Sequence, residues 1–239
     1  MIRKYTIIVN PVNRESACSL CYVNLTPLTA DFFILLQTSR LLEQHQTGGS
    51  RMRITTLLGS PKKKGNTATV LGWVEEQLKS MGHTVDHIHL HSRSIKGCLG
   101  CAKCRENPDE IGCVQQDDTI AILKNMIASD AVLFASPLYF WGFSAQTKVL
   151  IDRTYSLVAN YQSPEHSSLL QGKRMGLLVT GADDFENNAE GLFTVFDRYC
   201  DYLLVKKCAA LYAGGFSSIS ESQKDFKKKA SELAQSLVS

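Results

Sequence analysis

The sequence carries no strong excess of either charge. Its 26 Lys and Arg stand against 23 Asp and Glu, a formal net charge of +3, too slight to grip a nucleic-acid backbone. The run Lys227-Lys228-Lys229 falls in a helical pattern and reads as a solvated face. Long apolar runs are missing too: stretches such as Phe32–Leu36 fall far short of the roughly 20 residues needed to cross a bilayer. In the opening "MIRKYTIIVNPVN", Asn10-Pro11 breaks the apolar run and no small-residue cleavage pattern follows, so no signal peptide is expected. There is no internal repeat and no nucleophile–base dyad. The expectation is a cytoplasmic protein with no nucleic-acid or membrane partner. In that compartment clustered cysteines favour metal or redox chemistry over structural disulfides.

What remains is an ordinary globular balance. Apolar residues make up 44% and charged residues 21% of 239, enough for one substantial core. Residues 1–51 show no sustained period and end in the linker-like "QTGGSR". They read as an N-terminal extension, poorly ordered or dispensable, and the Cys18–Cys21 pair within it is too small for a tetrahedral metal site.

From Met52 the pattern alternates. Strands are expected at 53–59, 84–90, 131–135, 174–180 and 208–214. Helices are expected from Thr67 to Met81 with Asn66 or Thr67 as the cap, from an Asp118 cap through Ile127, from Ser144 to about Val158, around 189–204, and from Glu221 to Val238. Five strands alternating with five helices over 52–239 mean an α/β domain with a doubly wound five-stranded parallel sheet and helices on both faces. Such sheets bind ligands beyond the carboxyl ends of their strands, where strand order reverses. That places the loops at 59–67, 136–143 and 180–186 side by side.

The first of these loops, "GSPKKKGNT" (59–67), is neither a P-loop nor a G-x-G-x-x-G turn. It offers a helix N-terminus, hydroxyl and amide donors at Ser60, Asn66 and Thr67, and three lysines. A receptor for a terminal phosphate and an ordinary capped turn fit it equally. The second loop shifts the balance. In "SPLYFWGFSAQTKVLIDR" (136–153), Pro137, Tyr139, Phe140 and Trp141 follow a buried strand directly. Exposed aromatics there are costly unless something flat packs on them. A phosphate receptor beside an aromatic wall describes a mononucleotide with a large planar ring.

Together the two loops resemble the signature loops of the NADPH-dependent FMN reductase and iron–sulfur flavoprotein group, which is flavodoxin-like. The resemblance implies FMN, with its phosphate held by Ser60, Lys62, Gly65, Asn66 and Thr67. It implies the isoalloxazine ring against Pro137, Leu138, Tyr139, Phe140, Trp141 and Gly142, and contacts near the ring from Thr180 and Gly181. It implies NAD(P)H as a transient donor, and a homodimer or homotetramer.

Four of the eight cysteines fall within sixteen positions, in "CLGCAKCRENPDEIGC" (98–113). Iron–sulfur flavoproteins carry a compact cysteine motif at this place in the chain, and C-x2-C-x2-C spacing suits a cubane better than the paired ligands of structural zinc. A [4Fe–4S] cluster on Cys98, Cys101, Cys104 and Cys113 is the leading reading, with zinc or bare thiols as alternatives. Lys96, Lys103 and Arg105 stand ready to offset the cluster's charge. The eight residues between Cys104 and Cys113 are a longer gap than the family's motif has. His87, His89 and His91 alternate along a strand and read as an exposed face, while Cys200 and Cys208 read as packing residues.

The expected function is an oxidoreductase moving electrons from NAD(P)H, or from a ferredoxin through the cluster, to a small-molecule or protein acceptor. The alternative is a carrier or redox sensor without a substrate of its own.

Overall fold

The computed structural model describes residues 50–107, 109–215 and 223–239. The extension expected over 1–51, with Cys18 and Cys21, therefore lies outside the described residues except for Ser50 and Arg51.

Strand β1 (Arg53–Leu58) is followed by helix α1 (Asn66–Ser80) and strand β2 (Thr84–His89). Helix α2 (Asp118–Ala128) leads to β3 (Ala131–Tyr139), which turns into the two-residue β4 (Gly142–Phe143) and then helix α3 (Ala145–Arg153). A small antiparallel pair, β5 (Val158–Ala159) and β6 (Ser167–Ser168), precedes β7 (Arg174–Thr180) and α4 (Glu190–Tyr202). Strand β8 (Lys206–Ala213) and helix α5 (Gln223–Val238) follow.

The long strands lie in the order β2-β1-β3-β7-β8, every neighbour parallel. This is the flavodoxin-like 2-1-3-4-5 order, and it reverses between β1 and β3, opening a crevice beyond their carboxyl ends. The central strands are buried on both faces, which their unbroken apolar runs require. Along β3, Val132 and Phe134 join one core cluster while Ala131, Leu133 and Ala135 join the other. Helices α1 and α5 close the second cluster with Val70, Val74, Phe226 and Leu233. Helices α2, α3 and α4 close the first with Leu123, Leu150 and Phe196. No helix among the described residues is long and apolar enough to cross a membrane.

Several boundaries differ from expectation. Asp118 is the first helical residue of α2 rather than its cap; the cap is Asp117, whose carboxylate accepts the Thr119 N–H at 3.0 Å. Strand β3 runs past Ala135 because Ser136 and Pro137 still pair with Val179 and Thr180. Ser144 caps α3 as expected, but the α-helix stops at Arg153 and a 3₁₀ turn, Thr154–Leu157, completes the segment.

Candidate functional site

The three suspected loops meet at the switch point. Gly59 donates its N–H to the Ala135 carbonyl (2.8 Å) and accepts at its own carbonyl from Ser144 Oγ (2.8 Å). A side chain at Gly59 would place Cβ 1.9 Å from Thr147 Oγ1, so only glycine lets β1 pass this close to the start of α3. Thr67 Oγ1 lies 2.6 Å from Thr180 Oγ1, both residues buried, which ties the first loop to the end of β7.

Within the first loop, buried Ser60 accepts the Lys62 N–H at its hydroxyl (3.2 Å) and the His89 Nε2–H at its carbonyl (2.8 Å). The carbonyl can only accept, so Nε2 is the donor, and His89 Nδ1 is buried with no hydrogen-bond partner among the described residues. His89 is therefore no exposed strand residue; it braces the loop from below. Of its neighbours, His87 Nδ1 sits 2.7 Å from Glu75 Oε1, and His91 is exposed.

Neither Asn66 nor Thr67 caps α1. The cap position is Gly65, with extended backbone and no side-chain hydrogen bond, and Asn66 and Thr67 are the first two helical residues. The first intrahelical bond is Thr69 N–H to the Gly65 carbonyl (2.9 Å), so the amides of residues 66–68 point outward without a helical partner. The first turn holds no acid, and Lys62, Lys63 and Lys64 are exposed beside it. An anion at this end meets uncompensated N–H dipoles and mobile cations.

The aromatic loop is a two-residue hairpin. Tyr139 pairs with Gly142, which leaves Phe140 and Trp141 at the turn with φ of 46° and 60°. Hairpins of this kind favour Asn-Gly, because a bulky side chain at positive φ costs about 1–2 kcal/mol. Here two aromatics bear that cost and are left in solvent: Tyr139, Phe140 and Trp141 are 48%, 94% and 64% exposed. Phe140 and Trp141 meet edge to face at 6.3 Å. Pro137 is buried and Leu138 half-buried beneath them. Exposure thus runs over three consecutive residues and backbone strain over the last two of them.

Beyond β7, Gly181 donates to the Ala213 carbonyl (3.2 Å). The loop after it is pinned by Tyr212, whose hydroxyl donates to the Asp183 carbonyl (2.8 Å) and accepts from Asn188 Nδ2 (3.0 Å). Burial, with the charge of Asp183, pushes that hydroxyl up to about 12. Tyr212 escapes sequence reading because it sits in an apolar strand run with nothing local to mark its polar end. His89 reads as an exposed strand residue because its partner, the Ser60 carbonyl, is distant in sequence.

The cysteine stretch leaves β2 at the same edge of the sheet. Cys98, Cys101, Cys104 and Cys113 all line one cavity of about 380 Å³, together with Arg153 and Tyr155. Cys98 and Cys101 are exposed, Cys104 and Cys113 half-buried. The long gap closes by folding back: a Cβ at Gly112 would stand 2.8 Å from the Cys104 carbonyl, so the chain returns directly onto the third cysteine. Burial raises the Cys104 thiol above its usual range against its backbone hydrogen bond, and the other three thiols add to the rise. Among the described residues no three Cys, His, Asp or Glu side chains converge on a single-ion site.

The cations expected to face the thiols are otherwise engaged. Lys103 pairs with Glu106 (2.8 Å), and Arg105 lies 4.9 Å over the Tyr155 ring. Lys96 contributes backbone only, donating its N–H to Asp117 Oδ2 (2.9 Å). A cation that meets one of these four thiols is the buried Arg153, with Nη2 3.3 Å from Cys113 Sγ. Cys200 is buried in the first core cluster, and Cys208 is partly buried against the second.

A sequence model of the NADPH-dependent FMN reductase family matches residues 52–215. An iron–sulfur flavoprotein of Archaeoglobus fulgidus is 34% identical over 131 residues, 55% of each chain. One from Methanocaldococcus jannaschii is 33% identical over 131 residues, 55% of this chain and 63% of that one. The matched stretch is thus between about half and two thirds of each relative's length. Among solved structures, an NAD(P)H:quinone oxidoreductase from Methanothermobacter marburgensis superposes with a TM-score of 0.62 at 18% identity, covering 78% of this chain and 98% of that one. An FMN-dependent NADH-azoreductase from Bacillus anthracis gives 0.59 at 13% identity, over 78% and 100%. At such identities these two bear on the fold alone.

Proposed function

Because this chain belongs to the NADPH-dependent FMN reductase family, we propose that it binds FMN at the switch point and moves electrons from NAD(P)H to a small-molecule or protein acceptor. One observation carries the reading: an uncapped, acid-free helix N-terminus lies in the same crevice as a strained, solvent-facing aromatic hairpin. The first suits a terminal phosphate and the second a flat ring.

When bound, FMN supplies the hydride and single-electron chemistry. The amides of residues 66–68 and the side chains of Ser60, Lys62 and Asn66 would hold its phosphate, with Gly65 leaving the approach open. Thr67 contributes through the Thr180 pair, in which one hydroxyl keeps a proton to donate elsewhere. Residues 137–142 would lie against the ring, with Gly181 at its edge. The four-thiol cavity would hold a [4Fe–4S] cluster. That all four cysteines line one cavity supports a multi-atom inorganic group there. The curated relatives' names support it as well. A ferredoxin feeding the cluster, and a homodimer or homotetramer, belong to the same proposal.

Protein purified without oxygen and assayed for flavin, iron and sulfide separates the parts. FMN rather than FAD should be released on denaturation, with about four irons per chain for a cubane. Absence of FMN sinks the flavin site. FMN without iron or sulfide sinks the cluster alone, and NAD(P)H oxidation with several acceptors tells a reductase from a carrier.

A further inference from the structure

A fully buried cation at the wall of the thiol cavity calls for a role. Arg153, 2% exposed, is the last residue of α3. Its Nη1 donates to the Lys96 carbonyl (2.9 Å) and to Asp117 Oδ2 (2.7 Å), and its Nη2 donates to Asp117 Oδ1 (3.2 Å) and Cys113 Sγ (3.3 Å). Burial of the charge requires a partner, and Asp117 is sufficient for that. The two remaining bonds go elsewhere, to opposite ends of the cysteine-bearing loop. Asp117 repeats the arrangement, accepting the Lys96 N–H at one end while capping α2 at the other.

The four cysteines differ in what fixes them locally. Cys98, Cys101 and Cys104 share a tight stretch with left-handed turns at Gly100 and Ala102, and the Gly100 N–H points to Cys98 Sγ (3.5 Å). Cys113 arrives after eight residues with no such motif. Its sulfur is placed from outside, by a side chain on another element. That element is itself anchored in the flavin crevice, since Ser144 at its other end bonds the Gly59 carbonyl.

We propose that Arg153 is the positioning residue of the cysteine site: it staples the two ends of the loop and fixes the Cys113 sulfur on the cavity wall as the fourth ligand. The inference rests on the cluster reading of this cavity. A planar guanidinium reaches all these acceptors at once, whereas a lysine ammonium is a point charge on a flexible stem. A charged donor on a ligating sulfur also raises the potential of an iron–sulfur centre.

The experiment compares Arg153→Lys and Arg153→Met in the full chain, with bound FMN as the check on folding. On iron-free protein, amide hydrogen exchange at Lys96, Asp118 and Thr119, whose N–H groups are bonded across the two loop ends and to Asp117, should quicken at least tenfold in Arg153→Met and less in Arg153→Lys. After anaerobic reconstitution, Arg153→Met should hold less iron and sulfide than the wild type. Arg153→Lys should assemble a cluster whose midpoint potential is more negative. Wild-type exchange at both loop ends, with full iron and an unshifted potential, would overturn the proposal. Should Arg153→Met fail to fold, exchange and potential in Arg153→Lys decide. Wild-type protein that takes up no iron or sulfide defeats the cluster reading, and the exchange arm still decides whether Arg153 staples the loop.

Discussion

Asp117 shows how much one carboxylate can organise. Burial alone would raise it, but hydrogen bonds from Arg153, the Lys96 amide and Thr119 outweigh burial and hold its carboxyl well below the usual carboxylate range. The native state therefore binds fewer protons than the unfolded chain once pH falls below about 4, the ordinary Asp value. The stability tied to this group is complete above that pH and is lost as acid approaches the depressed native value. Asp117→Asn leaves Arg153 buried without its counter-charge, a change that costs about 3–5 kcal/mol in comparable pairs. Urea unfolding from pH 3 to 7 should show a large loss at neutral pH and a flatter acid limb in the variant. Equal slopes would mean that the pair is not what acid breaks. A second residue-scale expectation concerns Gly59, where any Cβ meets Thr147. Gly59→Ala should cost about 1–3 kcal/mol by overpacking and weaken FMN retention by displacing the loop; unchanged stability would show that Thr147 can swing away.

At the scale of elements, the hairpin sets stability against function. Phe140 and Trp141 hold positive φ without the glycine or asparagine that tolerates it. Replacing the pair by Asn-Gly should stabilise the flavin-free protein by about 1–2 kcal/mol while weakening FMN binding at least tenfold, since the exposed ring surface is removed. Denaturant unfolding and flavin fluorescence titration read the two effects separately, and loss of both stability and binding would show that the aromatics support the fold. This element also shows where sequence reading stops. The central strands are legible because burial on both faces writes an unbroken apolar run, as "AVLFA" does, whereas the edge strand β2 is legible by its alternation. The α2 cap is Asp117 rather than the adjacent Asp118 because two neighbouring aspartates suit the position equally well. The α1 cap is Gly65, one residue before Asn66 and two before Thr67, because its backbone is extended there without any side-chain cap. The loops were found as candidate contacts, but their supports were not. His89, Tyr212 and Arg153 act through one polar atom at long sequence separation, and local composition carries no trace of such a partner.

For the molecule as a whole, the open matter is how much of the chain the flavin site requires. The match to the family begins at residue 52, and among the described residues both core clusters are assembled from positions after it. Met52 itself packs against the second cluster and donates its N–H to His83 Nδ1 at 3.2 Å, so the parallel sheet is tied in from its first strand onward. Among the described residues both faces of the sheet are closed by the chain's own five helices. A chain beginning at Met52 should therefore fold, unfold with the same denaturant midpoint as the full chain, and retain FMN with unchanged affinity. Matching midpoints with weaker FMN binding would place part of residues 1–51 at the crevice mouth. A lower midpoint would mean that the segment contributes to the core, and the boundary drawn at Met52 would be wrong.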